Sequence, residues 1–109
     1  MFSLKEYVDG RGKIPFRNWL SSLKDKKTQA VIDARLTRVR LGNFGDCKSL
    51  KDGVFELRID FGSGYRVYFA KEGKALVLLL LGGDKRTQSK DIETAKKYWL
   101  DYKERSDEK

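Results

Sequence analysis

Arg58, Arg66 and Tyr68 stand on two stretches of regular alternation, residues 54–61 and 65–70, joined by Gly62-Ser63-Gly64. Phe55, Leu57, Ile59 and Phe61 point one way and Val54, Glu56, Arg58 and Asp60 the other, while Tyr65, Val67 and Phe69 alternate with Arg66, Tyr68 and Ala70. A hairpin closed on the three-residue loop, with Phe61 opposite Tyr65, sets Asp60 against Arg66 and Arg58 against Tyr68, on the face away from the Phe and Leu side chains. Arginine offers a planar fork of donors that fits phosphate oxygens and stacks on bases, and tyrosine adds an aromatic platform and a hydroxyl. That set suits single-stranded RNA. The same residues also read as an ordinary wet sheet face, with an Asp60–Arg66 ion pair worth at most about 1 kcal/mol and Arg58 balanced by Glu56.

Two further basic groups stand elsewhere in the chain. Asp84-Lys85-Arg86, followed by Lys90, stands between an apolar strand and a helix start, where loops carry function and helix amides attract anions. It lacks the spacing of a phosphate-cradling glycine loop and reads equally as a solvated connection. Lys27, Arg35 and Arg38 lie on a helical segment at spacings that bring them to one side, forming a basic ridge that is either a footing for nucleic acid or a solvated face.

Other chemistries are excluded for want of parts. The chain has no histidine and one cysteine, Cys47, so zinc constellations, an internal disulfide and Ser-His or Cys-His nucleophile pairs cannot be assembled. Cys47 reads as a small packing residue, and neither a metal nor a cofactor is expected.

The elements that must position the basic residues are legible in the period. Phe2, Leu4, Tyr7 and Val8 before Gly10-Arg11-Gly12 suggest a short first strand and a turn. Pro15 suits a helix's first position, with Phe16, Trp19, Leu20 and Leu23 on one face. A second helix follows Asp25, with Ile32, Leu36 and Val39 as its stripe and Gly42 at its C-terminus. The run from Ala75 to Leu81 predicts a strand covered on both faces in the middle of the sheet, ended by Gly82-Gly83. A helix entered near Thr87 or Ser89, with Ile92, Ala95, Trp99 and Tyr102 as its stripe, closes the chain, with residues 106–109 fraying. The expectation is α+β, a small antiparallel-rich sheet with an N-terminal helical hairpin and a C-terminal helix packed on it.

With 109 residues and no linker or repeat, one domain over 1–109 is expected. Hydrophobic residues at 39% and charged residues at 37% suit a soluble core with a densely charged exterior. A formal charge of +8 attracts polyanions, and the excess sits early, with twelve basic against six acidic residues in 1–52. No apolar run reaches signal-peptide or membrane-spanning length, which points to the cytoplasm and away from a membrane partner.

The segments Lys48-Ser49-Leu50-Lys51-Asp52-Gly53-Val54-Phe55-Glu56-Leu57-Arg58, Gly64-Tyr65-Arg66-Val67-Tyr68-Phe69 and Leu79-Leu80-Leu81 before Lys85-Arg86 resemble the RelE/ParE toxin superfamily, closest to its HigB-like addiction-module killer branch. The likeness spans nearly the whole chain. It implies a bacterial type II toxin, held by a cognate antitoxin, that enters the ribosome and cuts mRNA without a metal. It further implies Arg58 and Arg66 on the scissile phosphate, Lys85 and Arg86 at the rim or leaving group, Tyr68 on a base and Lys51 on the backbone. DNA would be met only indirectly, through the antitoxin. Two departures stand out: Gly83-Asp84 replaces an aromatic residue before the terminal basic pair, and no general base is evident, so Tyr68 or Lys85 would need a depressed pKa to serve. The ParE branch, which poisons DNA gyrase, and a catalytically inactive antitoxin-binding member share the same fold.

Overall fold

The computed structural model describes residues 1–107. Each period in the sequence becomes the element it implies. In chain order these are β1 (Ser3–Glu6), α1 (Pro15–Ser22), α2 (Lys26–Arg40), β2 (Cys47–Ser49), β3 (Val54–Ile59), β4 (Tyr65–Glu72), β5 (Leu76–Asp84), a 3₁₀ turn (Lys85–Thr87) and α3 (Gln88–Asp107). The sheet order is β1-β5-β4-β3-β2, antiparallel except where β1 runs parallel to β5. The architecture is α+β, as expected, with β4 rather than β5 at the centre.

Pro15 opens α1, and Asp25 caps α2 by accepting from the Lys27 amide and the Thr28 hydroxyl, each at 3.0 Å. Gln29 donates to the carbonyls of Leu20 and Leu23, which ties the end of α1 to the start of α2 and makes the helical hairpin. That hairpin covers one sheet face, where Phe16, Ile32, Leu36 and Val39 meet Leu57, Ile59, Val67, Phe69, Val77 and Leu79. Helix α3 covers the other, where Ala95 and Trp99 meet Tyr7, Val54, Tyr68, Ala70, Leu78 and Leu80. Burial of side chains of this size stabilises by roughly 1.5–3 kcal/mol each, and it fixes the layers. The fraying expected over 106–109 extends outside the described residues, within which α3 runs unbroken to Asp107.

Three local expectations are corrected. The β3–β4 connection takes five residues rather than three, because Gly62 and Gly64 both adopt positive φ and Gly64 closes back on the Phe61 carbonyl. Ile59 therefore pairs with Tyr65, Arg58 with Arg66 and Glu56 with Tyr68. Gly82 and Gly83 do not end β5, which pairs onward with β4 to Asp84. Their missing side chains instead admit the Trp19 ring against Gly82 and the Asp91 carboxylate against Gly83. A register shift opposite Tyr68 and Phe69 turns both Leu80 and Leu81 toward α3, and the strand then delivers Lys85 beside the end of the hairpin.

Candidate functional site

The C-terminal end of β3, the start of β4 and the 3₁₀ turn after β5 enclose a cleft of about 190 Å³, lined by Asp46, Arg58, Ile59, Asp60, Gly64, Tyr65, Arg66 and Lys85. Three of the basic residues singled out in the sequence, Arg58, Arg66 and Lys85, thus converge from three separate elements. A second groove of about 360 Å³ continues from it along α2, sharing Asp46, Arg58, Ile59 and Asp60 and adding the exposed Arg38.

Arg58 and Arg66 stand directly opposite each other in register, an arrangement that like charges disfavour. The side chains resolve it by diverging. Arg58 turns to solvent and meets the Asp46 carboxylate at 3.3 Å, so Asp46, not Glu56, is its counter-ion. Arg66 turns inward beneath α3, where its Nε lies 3.4 Å from Glu56, a residue only 1% exposed. Glu56 also accepts a 2.8 Å hydrogen bond from Gln88, the first residue of α3. The expected Asp60–Arg66 pair does not form, since Asp60 lies in the loop beyond the last paired residue.

The wet patch foreseen around Tyr68 is a covered one. Tyr68 is fully buried between the sheet and α3, so it is out of reach of a base, and its hydroxyl has no hydrogen-bond partner. Burial, with the Glu56 carboxylate close by, pushes its pKa up, the opposite of what a general base needs. The physical reason is the closure of α3 over that face by Ala95 and Trp99.

Arg35 is likewise corrected from ridge to interior. It is 7% exposed, donates Nη1 to the Arg58 carbonyl at 2.6 Å and Nη2 to the Phe44 carbonyl at 2.8 Å, and burial lowers its pKa. Gly45, at positive φ, leaves room for that guanidinium, which a Cβ would meet at 2.8 Å. Arg35 thereby pins the loop carrying Asp46 to the strand carrying Arg58, positioning the cleft from behind.

The remaining basic candidates are dispersed. Arg86 is exposed and pairs with Asp84, whose carboxyl also caps the turn through the Arg86 amide and is held below the usual carboxylate range chiefly by the Arg86 side chain. Lys90 is exposed on the first turn of α3, and Lys27 on the first turn of α2; neither lines the cleft. Lys51, in a left-handed turn before β3, sits at the far end of that strand from Arg58. A larger cavity of about 490 Å³ near it is lined by Trp99, Leu100 and three lysines and gathers no arginine.

The sequence reading missed Asp46, Glu56 and Gln88. Glu56 had a signal, a carboxylate set between Phe55 and Leu57 in the alternation that also carries Arg58 and Asp60. Asp46 and Gln88 had none, because only the tertiary fold brings them near the arginines.

Residues 18–99 match the family of phage-derived Gp49-like proteins (DUF891). An uncharacterised protein of Haemophilus influenzae is 57% identical over 83 residues, which cover 76% of this chain and 84% of that protein. No helix among the described residues is long and apolar enough to cross a membrane. The chain belongs to the phage-derived Gp49-like family, which is associated with toxin–antitoxin modules.

Proposed function

We propose that this chain is the toxin of a type II toxin–antitoxin module, of the RelE/ParE superfamily and its HigB-like branch, acting as a ribosome-dependent mRNA endoribonuclease in the cytoplasm. The observation that carries the reading is the convergence of Arg58, Arg66 and Lys85 on one cleft. A cleft of that composition suits a phosphate in transit through a pentavalent state, where charge grows on the non-bridging oxygens.

In this reading the ribose 2′-oxygen attacks the adjacent phosphorus. The O2′–P bond forms as the P–O5′ bond breaks, leaving a 2′,3′-cyclic phosphate and a free 5′-hydroxyl. Arg58 and Arg66 hold the non-bridging oxygens, and Lys85 gives a proton to the departing 5′-oxygen. The 2′ proton passes to a carboxylate of the cleft; Asp60 is the one with no ion pair among the described residues. Arg38 extends the phosphate track along α2. A cognate antitoxin is the protein partner, and its charge complement is an acidic or amphipathic segment laid on the basic surface.

The test is a bacterial cell-free translation reaction with mapping of new mRNA 5′ ends. Wild type is expected to cut only when ribosomes are present, and Arg58→Ala, which alters an exposed contact, to lose at least about a hundredfold in cleavage. Intact mRNA with the wild-type protein would overturn the reading and move attention to gyrase inhibition or to a member that only binds its antitoxin.

A further inference from the structure

Glu56 is buried at the centre of a sheet face, a place where a carboxylate is costly unless it is paired. Its pairing is specific. Gln88 fixes one oxygen from α3, and Arg66 Nε approaches that same oxygen at 3.4 Å. The arginine side chain is 10% exposed, so little of it reaches the cleft. Nε is turned toward Glu56, and no hydrogen bond among the described residues occupies the terminal nitrogens of the guanidinium.

We infer that Glu56 is the positioning residue of the cleft: it holds Arg66 by the inner edge so that the outer edge meets a phosphate oxygen, and Gln88 holds Glu56. The inference rests on the RNA-cleavage reading for its substrate, but the Glu56–Arg66 coupling itself can be read without any cleavage. The contact is longer than a well-formed hydrogen bond and leaves Arg66 Nε unsatisfied. Contacts of this kind in unliganded sites tighten when the ligand arrives. Phosphate binding would draw the guanidinium into line, with Glu56 fixing the direction.

Three variants and two readouts test this. Glu56→Gln keeps shape and removes charge; under single-turnover conditions it is expected to slow cleavage about tenfold with half-saturation unchanged. In an Arg66→Lys background, where no fork remains to orient, the same change is expected to alter the rate by less than about twofold. Gln88→Ala, which leaves the buried pair intact, is expected to slow cleavage about threefold and serves if Glu56→Gln does not fold. Equal losses from Glu56→Gln in both backgrounds, or no loss from either single variant, would overturn the assignment. The second readout is the Arg66 Nε–H resonance, titrated with inorganic phosphate. Its proton exchange is expected to be slow in wild type and at least about tenfold faster in Glu56→Gln. Identical exchange would overturn the positioning role. A wild-type protein inert toward mRNA but with this exchange contrast would sink the endoribonuclease reading alone.

Discussion

Toward α1 and α2 the sheet's buried side chains are all apolar, with Phe69 stacked between Phe44 and Phe55 at centroid distances of 5.6 and 5.4 Å. Toward α3 the same strands interrupt Val54, Tyr68 and Ala70 with Glu56 and Arg66, and leave a tyrosine hydroxyl unpartnered. The first face can be filled by shape alone. The second must also satisfy charge, and it does so beside the cleft, where Arg66 is shared between the interior and the opening. Buried polarity here marks the side of the sheet on which Arg66 reaches the cleft, while the sheet side chains on the other side pack by apolar contact alone.

The contrast can be broken from either side. Phe69→Ala empties the apolar face and should cost about 3–5 kcal/mol, with the midpoint of urea unfolding falling and its slope unchanged. Arg66→Ala strips the partner from a buried carboxylate and should cost a similar or slightly smaller amount, about 3 kcal/mol, whereas Arg58→Ala, its exposed register partner, should cost under about 1 kcal/mol. Equal stability losses at the two arginines in the same unfolding experiment would remove the distinction between a covered and an open end of this face.

A subtler test uses Tyr7, which lies on the α3 face and donates to Asp101 at 2.6 Å. Burial, and then the Asp101 carboxylate, push its pKa from 10.0 up to about 12. The folded state therefore holds this proton more tightly than the unfolded chain does, so the contribution is complete below pH 10 and is lost as pH rises to about 12. Tyr7→Phe should lower stability by about 1 kcal/mol at neutral pH and reduce the alkaline fall measured across that window.

Much of this was legible in the sequence because it is local. The periods of α1, α2 and α3, the alternation of β3 and β4 and the covered run of β5 each depend on neighbours a few residues away. The alternation put Arg58 and Arg66 on one face of the hairpin, while Lys85 was joined to them only by the family resemblance, since its place beside them depends on how β5 pairs with β4. What failed was set elsewhere. The register depends on the backbone of two loop glycines, and β2 spans three residues with no alternation to announce it. The interior positions of Arg35 and Tyr68 depend on carbonyls and helices distant in sequence, and charge alone could not tell a ridge arginine from one that staples a loop.

The parallel pairing of β1 with β5 has a consequence in time. Ser3 meets Leu76 and Glu6 meets Leu79, so β1 has no strand partner until β5 has left the ribosome. Tyr7 and Val8 wait longer still, for Asp101 and Arg105. Non-local closure of this kind slows folding, and it delays completion of the layer over Glu56 and Arg66 until α3 has been made. Until β5 and α3 emerge, a nascent chain with this topology keeps β1 unpaired and the face that carries Glu56 uncovered.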